Sequence, residues 1–164
     1  KLMLNHETRV IAKDTVMSVV DFDERTLYVL KAEGPSGYVG EVGAAIEKLI
    51  DVMRINANLV IMVDAGLKLE GENTGEIAEG IGAAIGGIGV DRFKIENAAS
   101  AHAIPLYAVI VKQSLSDAIG VMKKEIAESA DEAISRVHRL IRSKSNPGDR
   151  IIVVGVGNSM GVSQ

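Results

Sequence analysis

Asp64 closes the apolar run Leu59-Val-Ile-Met-Val63, so its carboxylate falls where a buried floor meets a crevice. An acid in that setting can serve as a general base or as a hard metal ligand. The same residue type also caps helices and closes turns. Glu70, Glu72 and Glu76 follow closely; such a cluster can attract a cation, or simply complement the positive end of a helix. Four glycines, Gly34, Gly37, Gly40 and Gly43, recur every three residues ahead of a helical pattern, and free amides at a helix start can hold an anion. Gly155, Gly157 and Asn158 make a second such turn near the end of the chain. Gly34, Gly37, Gly40, Gly155, Gly157 and Asn158 are therefore the candidate ligand-binding set. Neither turn is a G-x-G-x-x-G dinucleotide loop or a Walker A loop, and glycines there serve tight packing of strand on helix equally well. Of the three histidines, His102 precedes a strand, His6 lies near the start and His138 sits inside a helical pattern. No G-x-S-x-G elbow is present for a serine hydrolase.

These residues need elements to position them. Residues 9–20 and 26–33 are rich in β-formers around a polar turn, which predicts a hairpin. A helix is expected over 41–54, with Val42, Ala45, Ile46, Leu49, Ile50 and Met53 on one face, and a buried strand over 59–64. Strand, helix, strand in succession implies parallel pairing with a right-handed crossover. Residues 65–73 read as a loop and 74–84 as a capped helix. A short helix is expected before Pro105, then a strand over 106–111. Residues 115–142 keep helical period, as one long helix or two in tandem; Ile119, Met122, Ile126 and Val137 are expected inside and Lys123, Lys124, Glu128 and Arg136 in water. Ser114 and Asp117 are expected to cap its start. A last buried strand occupies 150–154. The expected fold is a single α/β domain over 1–164: a mostly parallel open sheet with helices on both faces, of the phosphorylase/hydrolase-like or Rossmann-like three-layer kind. The strands ending at Glu33, Asp64, Val111 and Val154 should share one sheet and one sense.

Composition narrows the function. A formal net charge of -4 with 3% aromatic residues supplies neither a basic phosphate footprint nor stacking platforms, so nucleic acid is excluded as the expected partner. Cys 0 removes thiolate chemistry and fits a cytoplasmic setting, and any metal must use His, Asp or Glu. No apolar run reaches the eighteen or so residues that span a bilayer, so no transmembrane segment is expected in this chain. It opens at Lys1 and stops at Gln164 just after a strand, which reads as a piece of a longer protein whose remainder could carry a membrane tether.

Three stretches carry a resemblance: Val63-Asp64-Ala65-Gly66-Leu67-Lys68-Leu69-Glu70-Gly71-Glu72, the glycine run from Gly80 to Gly89, and Gly155-Val-Gly-Asn-Ser-Met-Gly161. Together they resemble the archaeal family known as domain of unknown function 1512. That resemblance covers nearly the whole chain. It implies an archaeal source, brings no established activity, and makes this chain the carboxyl-terminal part of a longer protein. A more distant similarity is to the hydrogenase-maturation endopeptidases and the spore germination protease. It rests on the strand ending in Asp64-Ala65, on Ser100-Ala-His102 before Ile104-Pro105, and on Glu41 opening a helix after a glycine loop. It implies a metal held by Glu41, Asp64 and His102. The Gly155 to Asn158 signature departs from that pattern, since it opens the relatives' fold and closes this chain.

Three functions follow from this reading. The first is a peptidase-like hydrolase in which Asp64 and Glu41 are catalytic, with a divalent metal of the Zn, Ni or Mn type as cofactor on Glu41, Asp64 and His102. The second is a non-enzymatic module whose glycine turns grip a phosphate or nucleotide. The third is a structural assembly domain that packs its long helix on a second copy, as a homo-oligomer. The unknown partner is a small molecule or a peptide.

Overall fold

The computed structural model describes residues 8–33, 40–82 and 90–156. Candidate residues Gly34, Gly37, Gly157 and Asn158 lie outside the described residues. The chain begins with three strands, β1 (Arg9–Ala12), β2 (Thr15–Phe22) and β3 (Arg25–Ala32). β2 and β3 form the expected hairpin, in full register from Thr15 opposite Ala32 to Phe22 opposite Arg25. Its two-residue turn has Asp23 at φ 46° and Glu24 at φ 62°. Positive φ at both central positions is the turn that matches strand twist.

Helix α1 (Val42–Glu47) continues as a π-helical turn, Lys48–Val52, and buries Val42, Ala45, Ile46, Leu49 and Ile50. Met53 stays 44% exposed, because the helix has ended before it. β4 (Leu59–Leu67) follows, then β5 (Ile77–Ile81), α2 (Val90–Ala101) and β6 (Leu106–Gln113). The chain continues through α3 (Leu115–Ile119), α4 (Lys124–Lys144) and β7 (Arg150–Gly155). The expected short helix before Pro105 is α2.

Seven strands join one sheet in the order β1-β2-β3-β7-β4-β6-β5. β3, β7, β4 and β6 are neighbours and run in one sense, as their helical connections demand. The other three pairings, β1 with β2, β2 with β3 and β5 with β6, are antiparallel. The sheet is therefore mixed, where a mostly parallel one was expected. The physical reason is local: a two-residue hairpin adds antiparallel strands at one edge, and β5 returns directly onto β6 at the other.

β5 itself corrects the helix expected over 74–84. Gly75 and Gly82 both have positive φ and Gly80 lies within the segment, all poor for helix, while Ile77 to Ile81 pair with Val111 to Tyr107 on an otherwise open edge. Residues 115–142 are two helices. α3 ends at Gly120, whose ψ of -176° is extended, and α4 starts anew after Lys123. Ile119 is consequently 65% exposed, contrary to expectation, whereas Ile126 and Val137 are buried. Met122 is half-buried, Lys123, Lys124 and Glu128 are exposed, and Arg136 is half-buried.

Strand alternation sorts the core. Leu30, Val60, Met62, Ala108, Ile152 and Val154 pack with α1 and α2. The residues alternating with them, Leu27, Ile61, Val109 and Ile151, pack with Ala133, Val137, Leu140 and Ile141 of α4. Successive strand residues face opposite sides, so α4 covers the face away from α1 and α2. Among the described residues no helix is long and apolar enough to cross a membrane.

Candidate functional site

A single helix about 10–12 Å wide cannot roof seven strands spaced about 4.8 Å apart. On the α4 face the shortfall is an apolar cavity of about 750 Å³. Its floor comes from Val20 of β2, Val29 of β3, Val153 and Gly155 of β7, Val63 of β4 and Val111 of β6. Its roof is α4, where Ser129, Ala130 and Ala133 occupy the wall between Ile126 and Val137. Those three small side chains leave the void that larger ones would fill. Ser129 presents little polarity, because its hydroxyl donates to the Ile126 carbonyl at 2.7 Å. His138 also lines the cavity and stacks on Phe22 with ring centroids 4.4 Å apart. Burial, with Arg142 nearby, pushes its pKa down and favours the neutral ring.

Asp64 borders this cavity through its chain, while its side chain alternates with Ile61 and Val63 and lies on the α1 side of β4 with Val60 and Met62. β7 pairs with β4 only as far as Gly155 opposite Val63, so Asp64 sits where β4 has lost that neighbour. One carboxylate oxygen accepts from the Ala65 N–H at 2.7 Å. Burial outweighs that bond and pushes the carboxyl up to about 6. Gln113, only 8% exposed, is one of several polar residues of the lining and lies on the α4 side of β6. Lys31 lines the cavity from β3 with its ammonium in water.

Two lysines adjoin Gln113: Lys68, whose N–H donates to the Gln113 carbonyl and whose ammonium donates to the Glu72 backbone carbonyl at 3.3 Å, and Lys112. Lys112 Nζ lies 2.5 Å from Glu72 and 2.8 Å from Glu76, which holds both carboxyls below their usual range and raises the lysine. Glu72 and Glu76 thus tie the loop after β4 to β6. Ser114 and Asp117 form a reciprocal capping box at the start of α3, as expected from the sequence. The buried Asp117 carboxylate also accepts from Thr74 and pairs with Lys123 at 2.7 Å, which keeps it ionised far below the ordinary range.

Glu41, Asp64 and His102 do not come together. Glu41 precedes α1, is exposed and caps nothing with its side chain. Its N–H is bonded to the Lys13 carbonyl in the β1–β2 turn, and β2 is three places from β4 in the sheet, about 14 Å at ordinary strand spacing. His102 lies after α2 at the opposite edge, where Leu106 pairs with Val60; Asp64 is four residues further along β4, about 13 Å. There its ring nitrogen bonds Asp51 at 2.8 Å. Among the described residues no group of three His, Asp or Glu side chains is placed to hold a metal. The glycines divide as well. Gly40 has φ +62°, and an added Cβ would collide with the Asp14 carbonyl and the Thr15 hydroxyl, so its role is close packing of the chain on the β1–β2 turn. At Gly155 an added Cβ would meet nothing nearer than the Leu30 carbonyl at 3.8 Å, and the residue lines the cavity.

Sequence reasoning missed the cavity, although a signal for it exists in Ser129, Ala130 and Ala133, small residues inside an otherwise large apolar stripe.

The fold and site define an α/β domain with a mixed sheet, one face of which encloses an apolar cavity under a single helix. The chain belongs to the family described as Domain of unknown function (DUF1512) C-terminal, whose model matches residues 1–163. No curated protein and no solved structure matches it.

Proposed function

We propose that this domain binds a small apolar ligand between α4 and the sheet. The observation that carries the reading is the cavity itself: about 750 Å³, walled mainly by Val, Ile, Leu and Ala, and within the size range of small-molecule sites. A hydrolase using Glu41, Asp64 and His102 gains no support, since the three stand on separate parts of the sheet and only Asp64 borders the cavity. A phosphate or nucleotide module gains none from this cavity either, because its walls are mainly apolar and their one lysine is solvated. The ligand enters where sheet ligands usually gather, beyond the carboxyl ends of parallel strands.

The test uses N-phenyl-1-naphthylamine, a neutral fluorophore that brightens in apolar surroundings. Wild type is expected to bind it saturably. Ala133→Phe and Ala130→Trp place large rings in the void and are expected to lower its affinity at least tenfold while circular dichroism stays unchanged. Saturable binding that is equal in wild type and both folded variants would place the probe elsewhere and end the reading.

A further inference from the structure

β5 leaves one side of its backbone open. Among the described residues it pairs only with β6 and ends the sheet. The Lys112 N–H donates to the Glu76 carbonyl at 2.9 Å and the Gly82 N–H to the Leu106 carbonyl at 2.8 Å, so residues 76, 78, 80 and 82 turn their main-chain groups toward β6. Ile77, Glu79 and Ile81 therefore turn theirs away from it. At Glu79 the side chain is only 22% exposed beneath two arginines, yet the residue as a whole is exposed, because its main chain meets water. Ile81 is 87% exposed. Native edge strands are commonly guarded by Lys, Pro, a bulge or sheer shortness. β1, at the opposite edge, has four residues and a register shift between Val10 and Ala12. Ile77-Ala-Glu-Gly-Ile81 carries neither Lys nor Pro and pairs with β6 without a shift.

The strand reads nearly alike in both directions from Glu79, and that symmetry decides what fits it. Two copies running antiparallel across a two-fold axis at Glu79 set Ile77 opposite Ile81, Ala78 opposite Gly80 and Glu79 opposite itself. Each outward residue then exchanges both main-chain hydrogen bonds with the residue it faces. Ile77 packs in the α4 core and Glu79 meets Arg136 of α4, so alternation puts Ile81 on that same face, where Ile77 of the second copy covers it. On the other face Ala78 and Gly80 are small, and a Cβ added at Gly80 meets no described atom within 4 Å. Like charges set opposite each other ordinarily repel. Here each Glu79 already lies 3.1 Å from Arg136 and beside Arg139, and Arg136 also pairs with Glu132 at 2.7 Å. Arg139 is 60% exposed and spends one terminal nitrogen on its own Glu79, which leaves guanidinium donors for Glu79 of the second copy.

We propose that β5 is the contact through which two copies of this chain join, edge to edge, into one continuous sheet. The occupant is a second copy and not an unrelated strand, because the isoleucine pairs and the alternating arginines and glutamates need β5 and α4 on both sides. Ile77, Glu79 and Ile81 take no part in the cavity wall, so this contact stands apart from the ligand-binding reading.

The test is sedimentation velocity over a dilution series, with amide hydrogen exchange followed by nuclear magnetic resonance. Wild type is expected to sediment with twice the chain mass in concentrated solution and with the chain mass on dilution. The amides of Ile77, Glu79 and Ile81 are expected to exchange at least tenfold more slowly in the concentrated sample, and those of Ala78 and Gly80, already bonded to β6, to change less. Ile81→Lys sets an ammonium against Ile77 of the second copy, and Glu79→Pro removes an outward N–H that β6 does not use. Each is expected to raise the dissociation constant at least tenfold while circular dichroism and the thermal midpoint hold. Should either variant misfold, the alternating exchange pattern of wild type decides. A wild type that stays a monomer at every concentration overturns the proposal. A dimer that persists equally in both folded variants overturns it too, since its contact would then lie elsewhere.

Discussion

Asp64 is where sequence and structure agree on a residue and differ on its company. An acid after an apolar run is visible in a linear chain, because the five preceding apolar residues announce the burial that perturbs it, although β4 runs on to Leu67 where the strand was expected to end at Asp64. Its partners were not visible, since Glu41 and His102 depend on which strands separate them in space. The raised carboxyl has a consequence for stability. In the unfolded chain Asp64 loses its proton near the ordinary 3.8, whereas in the native state it keeps it to about 6. Between those values the native state binds more protons, so its stability falls as pH rises from about 4 to about 6 and stays lower above that. Asp64→Asn removes the ionisation. Its unfolding free energy from urea titration is expected to exceed that of wild type by about 3 kcal/mol at pH 8 and by nothing comparable at pH 4, the two pH profiles diverging across that window. Parallel profiles would show that Asp64 titrates as a solvated acid.

At the level of elements, apolar period located β2, β3, β4, β6, β7 and α4, each of which buries a continuous stripe. It failed where a segment is half-exposed. β5 has a half-buried end and an exposed one, so its pattern could pass for the first turns of a helix; only the open edge of β6 decides the matter. What seats α4 was also hidden. Arg25, at the start of β3, is 8% exposed and reaches the far end of that helix: Nε donates to the Ser145 hydroxyl at 2.8 Å and a terminal nitrogen to the Ser145 carbonyl at 2.9 Å. The second terminal nitrogen donates to the Asp23 carbonyl at 2.6 Å. Ser145 in turn donates to the Ile141 carbonyl at 2.6 Å, so a guanidinium closes the negative end of the helix dipole and fastens it to the hairpin. Arg25→Met keeps the stem and removes these bonds. It is expected to cost about 2 kcal/mol in chemical denaturation, as losing buried charged hydrogen bonds does, and to speed hydrogen exchange at the Ser145 amide. An unchanged midpoint would mean that water replaces the guanidinium without loss.

For the whole molecule, the decisive feature is that the last strand is the central one. β7 is flanked by β3 and β4, and these two never pair with each other; its register ties Leu27 to Ile151 on one side and Leu59 to the same residue on the other. Until β7 arrives, the β1–β3 hairpin unit and the β4–β6–β5 unit have no ladder in common. Ile151, Ile152 and Val154 are completely buried, so the strand also joins the two cores across the sheet. Pairing over such sequence separations is slow, because loop closure must precede the contacts that reward it. The sequence predicted four strands of one sense but contained no signal for their order, which is set by how both faces can be covered at once. A chain ending at Asp149 retains both units and lacks their bridge. It is expected to show no cooperative thermal transition and to lose the near-ultraviolet signal of its tyrosines, while the full chain unfolds in one step. Ile152→Asp, which places an unpaired charge in the middle of that bridge, is expected to have nearly the same effect. A truncated chain that melts cooperatively at the temperature of the full one would show that β3 and β4 close on each other without β7, so that a central β7 would not be what holds the domain together.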